Sequence, residues 1–418
     1  MKVAVLTLGC KANQSESFVI EANLRSRGCE IVDLVEQPDY CIINTCSVTS
    51  KSDYQSRQLI RRASKSGSRV IVTGCYSELN KGFVRTMDGV ADVVDVSNKH
   101  NIPDMLAHVS SGFPLNYYSS TKSRFFLKIQ DGCNSSCSYC VIPKARGRSR
   151  SIPLEEIIEQ IHAISNSYNE IVLTGIHLGA YGYDIIPKVT LTDMLLTILL
   201  KTEIRRVRLG SLEISEIDEE MLDLIQDNRV CSHLHIPLQS GDDRILGLMN
   251  RNYTTQEFFD GVKRILERIP GAAIGTDVIT GFPGEGEPEF KNSFSFLESL
   301  PLSYMHVFPY SARPGTAAAE MPNFVDSATT KERCILLREL GMRKKREFME
   351  AQLGRTLDLL LEEKASDSTF VGTTGNYLKV RALITGACPK DIVPVRIAGL
   401  QNDMLVGHPI PDAQVTVY

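Results

Sequence analysis

No apolar run in this 418-residue chain approaches the length needed to cross a bilayer, so a helical membrane span is not expected. An excess of one charge is also missing. The formal net charge is −4, which gives no global attraction to nucleic acid and leaves any such binding to local basic patches. The N-terminus, MKVAVLTLGC, has one lysine, a short apolar run and no small-residue cleavage site, and it leads into a polar helix. It reads as a first β-strand, and the protein is expected to be cytoplasmic. With 43% hydrophobic and 23% charged residues the composition is that of a globular protein. The length exceeds what one hydrophobic core organises, so two or three domains are expected.

Cysteine, in contrast, is plentiful: there are 11. The cytosol keeps thiols reduced, so these are not read as a disulfide framework, and metal binding is the first alternative. Their placement supports it. The first hundred residues alternate strand and helix: KVAVLTLGC, a helix near 13–27, CIINTC, a helix near 50–65, and RVIVTGC. This βαβαβ pattern predicts a parallel sheet. Its three strands end in Cys10, Cys46 and Cys75, and open parallel sheets bind ligands beyond the carboxyl ends of their strands, where separated thiols can converge.

From 125 to 310 the alternation resumes with six candidate strands (FFLKIQDGC, EIVLTGIH, RVRLGSLE, HLHIPL, AIGTDVITGF and YMHVFPY) and helical stretches such as 154–164 and 254–269. Six βα units predict an open, partial (β/α)6 barrel with its active site at the strand C-termini. A charged helix near 330–350 follows. The tail after 352 has four β-rich stretches (RTLDLLL, YLKVRAL, DIVPVRIAG and MLVGHPI) that suit a small β-barrel. The class is therefore α/β, with domains expected at 1–115, 120–350 and 352–418.

Immediately after the first barrel strand comes CNSSCSYC, placing Cys133, Cys137 and Cys140 within eight residues. Soft thiolates favour iron–sulfur clusters or zinc, and three of them can hold three corners of a four-iron cluster with one iron left open. This CxxxCxxC, with Tyr139 before its last cysteine, resembles the radical S-adenosylmethionine superfamily. LGCKANQSES, INTCSVTSKSD, VTGC and DVITGFPGE extend the resemblance over nearly the whole chain to the methylthiotransferases. The resemblance implies two four-iron four-sulfur clusters, one held by Cys133, Cys137 and Cys140 and a second, carrying the sulfur to be transferred, held by Cys10, Cys46 and Cys75. It leaves out Cys29, Cys41, Cys231, Cys334 and Cys388.

For S-adenosylmethionine, the resemblance implies contacts from Tyr139, from Thr174, Gly175 and His177 near the methionyl amino group, and from Ser211 and Glu213 near methionyl or ribose groups. Adenine contacts are implied at Phe282, Pro283, Phe308 and Tyr310. His177 and His235 themselves read more simply as core or rim histidines, because thiolates already furnish the cluster sites. No catalytic side chain is singled out.

GIHLGAYG, HLHIPLQSG and DGCNSSCSYCVIPKARGRSRS look like the branch acting on N6-threonylcarbamoyladenosine at position 37 of tRNA. Alternatives are isopentenyladenosine tRNA, a ribosomal-protein aspartate or, outside enzymes, a metal-stabilised RNA-binding protein. The resemblance further implies a TRAM-like terminal domain, a flavodoxin-like or ferredoxin-like electron donor, a sulfur donor, and a monomer. The tail from Gln352 carries six Lys plus Arg and seven Asp plus Glu, so bulk charge there does not hold RNA. Two basic patches are the expected phosphate contacts: Lys144, Arg146, Arg148 and Arg150, and Arg343, Lys344, Lys345 and Arg346.

Overall fold

The computed structural model describes residues 1–106, 122–366 and 368–410; the expected domain boundary at 115 and 120 and the last eight residues lie outside them. The N-terminal sheet has five parallel strands, β1 (Lys2–Thr7), β2 (Glu30–Ile31), β3 (Tyr40–Thr45), β4 (Arg69–Gly74) and β5 (Val90–Val93), in the order β2-β1-β3-β4-β5. The three predicted strands are the central ones. Their near-continuous apolar runs are buried on both faces, as central parallel strands require: Val3, Ile42 and Ile71 pack with Ile20 and Leu24, while Ala4, Ile43 and Val72 pack with Ile60 and Ala63 on the other side. Helices Lys11–Ser26 and Ser50–Lys65 make the crossovers, the second begun by Thr49, whose side chain accepts from the Ser52 amide.

Strands β6 (Phe125–Lys128), β9 (Glu170–Thr174), β10 (Arg206–Leu209), β11 (His233–His235), β12 (Ala273–Thr280) and β13 (Tyr304–Pro309) are the six predicted for the barrel. Between them, β7 (Gln130–Asp131) and β8 (Arg150–Ser151) pair antiparallel around the CNSSCSYC loop. All four barrel pairings are parallel, in two three-stranded sheets joined by single bridges, Val207 to Val230 and Ser211 to His235. The order β6-β9-β10-β11-β12-β13 leaves the barrel open between its first and last strands. The N-terminal domain reaches both edges: the Ser15 hydroxyl donates to the Phe126 carbonyl of β6 (2.7 Å), and beyond β13 Arg313 donates to Ser47 (2.6 Å) and pairs with Asp53 (2.7 Å). The cysteine-bearing strand ends are thereby held over the barrel opening.

Helix Ser327–Glu350 leads to a closed barrel of five strands, β14 (Thr356–Ser366), β15 (Thr369–Thr374), β16 (Lys379–Leu383), β17 (Ile392–Gln401) and β18 (Met404–Pro409), ordered β14-β15-β16-β18-β17. Strand β15, rich in threonine and glycine, is the one not predicted. Two buried arginines of β10 dock this domain. Arg206 and Arg208 share the carboxylate of Glu170 on β9 (2.7 and 2.8 Å), and their remaining donors reach the main-chain carbonyls of Asp358, Thr373, Thr374 and Gly375 (2.9–3.2 Å). Tyr377, in the turn before β16, stacks on His233 at 4.4 Å.

Although full burial alone would raise it, the two guanidiniums bring the Glu170 carboxyl down to about 2. Its contribution is whole above the unfolded value of 4.5 and is lost as the pH falls toward 2, a loss of about 3 kcal/mol. Urea titrations of cluster-free protein between pH 5 and 2 will show this loss, and Glu170→Gln, which has no carboxylate to protonate there, will lack it.

Candidate active site

The CNSSCSYC loop is fixed from below by Gln130, a fully buried residue for which nothing in the sequence signalled a role. Its amide nitrogen donates to the Gly132 carbonyl (2.7 Å) and Ser149 (2.9 Å), and its amide oxygen accepts from the backbone of Ile176 and His177 (both 2.9 Å). Gly132 has φ +72°, and a Cβ there would lie 2.0 Å from the Arg148 carbonyl, so only glycine lets the loop start this close to its return strand. The cysteine loop and the end of β9 are thus one unit.

Within it, Cys133 Sγ lies 3.7 Å from His177 Nδ1 and 3.4 Å from the Ser135 amide, while His177 Nε2 meets Glu216 Oε1 at 2.5 Å. Bonds to Cys133 and then Glu216 push His177 up to about 10. Burial raises the Cys133 thiol, but His177 and Ser135 more than offset it and bring the thiol below its ordinary value. Arg251, almost wholly buried, donates to Cys137 Sγ (3.3 Å) and pairs with Glu213 (2.9 Å). At Cys140 burial outweighs the bond from the Ile142 backbone and pushes the thiol up to about 11.

The second set forms where the parallel sheet directs it. Cys10 stands at the N-terminal end of helix Lys11–Ser26 just beyond β1, Cys46 follows β3 and Cys75 follows β4; the three strands are neighbours, and the charge of Cys10 acts on both Cys46 and Cys75. Gly9 has φ +99°, and a Cβ on it would fall 2.7 Å from Cys46 Sγ, so glycine keeps the space beside that sulfur open. Asn13 closes the group by donating to the Leu8 and Thr45 carbonyls (2.7 and 2.9 Å). Burial raises Cys46 and Cys75, and Arg146 opposes it at Cys75.

Arg146 corrects a sequence expectation. Its side chain is 0% exposed and touches no solvent, so it is not a phosphate contact. Six residues beyond Cys140, it donates through Nε to Cys75 Sγ (3.3 Å) and through Nη1 to Glu16 (2.9 Å) and Asp131 (2.7 Å), with Asn13 as a further partner. Glu16 also holds Lys99 (2.5 Å) and Lys128 (2.8 Å). One side chain therefore ties the first cysteine set's loop to a cysteine of the second. In the other expected patch, Arg343 pairs with Glu298, Arg346 with Glu350, and buried Lys344 donates to the Glu298 and Leu300 carbonyls.

A cavity of about 200 Å³ lies between the barrel and the N-terminal domain, walled by Thr49, Tyr139, Cys140, Asp277, Phe308 and Tyr310. Tyr139, Phe308 and Tyr310 thus sit beside Cys140. Phe282 is fully buried and meets Tyr310 edge-on at 5.3 Å, and Pro283 and Thr174 are buried too. Gly175 lies against Gln130, and exposed Ser211 bridges to His235. Asp277 Oδ1 joins His235 and His306 (3.1 Å each) on the same strands. Two groups of three thiols, each with an arginine aimed at one sulfur, suit iron–sulfur clusters that keep one iron open.

Residues 127–297 match the radical SAM superfamily model and residues 2–95 match the uncharacterized protein family UPF0004. The threonylcarbamoyladenosine tRNA methylthiotransferase MtaB of Aquifex aeolicus is 38% identical, over 87% of this chain and 93% of the relative. That of Bacillus subtilis is 35% identical, over 99% and 96%. This chain belongs to the radical S-adenosylmethionine methylthiotransferase family. A tRNA-2-methylthio-N(6)-dimethylallyladenosine synthase of Acetivibrio thermocellus is 28% identical over 96% and 89%. In fold, the methylthiotransferase resembles the radical S-adenosylmethionine methyltransferase TsrM of Kitasatospora setae, solved with cobalamin and a [4Fe-4S] cluster, at a TM-score of 0.54 and 13% identity over 76% of this chain and 74% of that one. Its family makes it an enzyme that uses S-adenosylmethionine and four-iron four-sulfur chemistry. Among the described residues no helix is long and apolar enough to cross a membrane.

Proposed function

We propose that the protein converts N6-threonylcarbamoyladenosine at position 37 of tRNA to its 2-methylthio derivative, using two four-iron clusters and two molecules of S-adenosylmethionine. The observation that carries this reading is the pair of three-cysteine groups, joined through Arg146, with Cys140 lining a cavity between the two domains, in a chain 32–38% identical to five relatives bearing the MtaB name. When bound, the cofactors supply a 5'-deoxyadenosyl radical and a methylthio group for a carbon whose C–H bond no side-chain base reaches. The chain's own residues position groups. Cys133, Cys137 and Cys140 hold the cluster that receives the electron, and Cys10, Cys46 and Cys75 hold the one that carries sulfur. Tyr139, Phe308 and Tyr310 present aromatic surface for adenine beside Cys140, and Glu213 and His177 face the methionyl end. An electron donor of the flavodoxin or ferredoxin kind and a sulfur donor complete the cycle.

The threonylcarbamoyl group carries a carboxylate that isopentenyl lacks, so selecting it calls for a cation or directed donors. With Arg146 buried, exposed Lys144 and Arg148 fill that role. Supplied with tRNAs bearing each modified adenosine, the purified enzyme is expected to yield methylthio product, read by nucleoside mass spectrometry, with threonylcarbamoyladenosine. Reaction with isopentenyladenosine tRNA or with the ribosomal protein instead overturns the substrate and leaves the two-cluster reading standing.

A further inference from the structure

We propose that the exposed face of helix Ser50–Lys65 is the surface that grips the phosphates of the substrate RNA, and that it, not the paired Arg343 and Arg346, sets the salt dependence of binding. The proposal rests on the tRNA reading above. Lys51, Tyr54, Gln58, Arg61 and Lys65 recur at spacings of three and four, so they share one side of the helix, and Arg62 flanks them. All six are exposed. From Lys51 to Lys65 the stripe spans about 21 Å at 1.5 Å per residue.

Charge on this helix is unbalanced in a chain that is acidic overall. It carries five cations and a single carboxylate, Asp53, which is taken by Arg313. Arg57 is turned to Tyr76 (3.3 Å to its hydroxyl). Among the described residues, Lys51, Arg61, Arg62 and Lys65 form no ion pair, whereas Arg343 and Arg346 do and Arg146 is buried. A cation already paired releases no counterion when a phosphate arrives; an unpaired one does.

Position makes RNA the fitting occupant. Val48 and Thr49, the two residues before the helix, wall the cavity that holds Cys140 and Asp277, and Ser50 bonds Ser311 across the barrel mouth (2.7 Å between hydroxyls). The helix therefore starts at the rim of the reaction cavity and runs away from it. A polynucleotide whose target base enters the cavity lays its flanking backbone along the stripe, with half-exposed Tyr54 at the near end as a stacking surface.

The test is Arg61→Gln/Arg62→Gln/Lys65→Gln in the cluster-loaded protein, with Arg343→Gln/Arg346→Gln as control. Affinity for threonylcarbamoyladenosine-bearing tRNA is measured across a salt series, and iron content and thermal melting establish that each variant is folded. The triple variant is expected to bind about tenfold more weakly at 0.1 M salt and to flatten the plot of log affinity against log salt by about two units, while the control follows the wild type. A wild type that binds this tRNA steeply with salt, beside a triple variant of equal affinity and slope, overturns the surface and spares the tRNA reading. A wild type that binds no tRNA removes both. Unchanged RNA binding with slowed reduction by a flavodoxin would assign the stripe to an acidic protein and overturn the proposal.

Discussion

Alanine at Cys10, Cys46 and Cys75 together will leave reductive cleavage of S-adenosylmethionine running while ending methylthio transfer, whereas alanine at any one of Cys133, Cys137 and Cys140 will end both. The asymmetry follows from which loop each thiol serves. Cys133, Cys137 and Cys140 sit on the CNSSCSYC loop, locked by Gln130 to the end of β9 and facing the cavity aromatics. Cys10, Cys46 and Cys75 sit on the N-terminal sheet and meet the barrel through Arg146. Iron should fall by about half in the triple variant if the clusters are of equal size. Anaerobic reconstitution, iron analysis and assay of 5'-deoxyadenosine and of modified nucleosides check this. Undiminished 5'-deoxyadenosine from a Cys133, Cys137 or Cys140 variant, or full methylthio product from the triple variant, would sink the corresponding assignment.

Arg146→Met is expected to be the most damaging substitution outside the cysteines. It strips a fully buried cation from Glu16 and Asp131, and removing one member of a buried ionic group costs about 3–5 kcal/mol. It also deletes the N–H donor to Cys75. Donors to cluster sulfurs favour the reduced, more negative form, so the midpoint potential of the cluster on Cys10, Cys46 and Cys75 should move to a more negative value while the other cluster's stays put. Arg146→Lys keeps the charge without the planar fork and should recover stability in part but not the potential. Chemical unfolding and a potentiometric titration followed by electron paramagnetic resonance give the two readings. An unmoved potential would reduce Arg146 to a structural tie.

Much of this site was legible because thiols declare themselves. Strands ending in cysteine, and a tight cysteine loop after a strand, single out six candidate thiols by topology, and the apolar runs of β1, β3 and β4 give the sheet that gathers three of them. Short edge strands escaped: β2 has two residues, and β5, VADV, is half solvated, so neither has a hydrophobic pattern to read. Arg146 misled for a different reason. Spacing along a chain says nothing of which carboxylates fold against it, and Glu16, which captures Arg146, lies 130 residues away. Gln130 and Arg251 were silent because a buried polar side chain is defined by partners that only the fold supplies.

The docking of the small barrel has a consequence for how this family can vary. The hydrogen bonds of Arg206 and Arg208 across this joint all go to main-chain carbonyls, at Asp358, Thr373, Thr374 and Gly375, while the Tyr377 ring packs on Arg208 and His233. A carbonyl is presented by every amino acid, so the recognised feature is the path of the backbone and not the residues threaded along it. The terminal domain is free to drift in sequence at these four positions and still be held in place, while side-chain identity at the joint matters for Glu170 and the two arginines of the core, for Tyr377, and for Glu362, which pairs with Arg124.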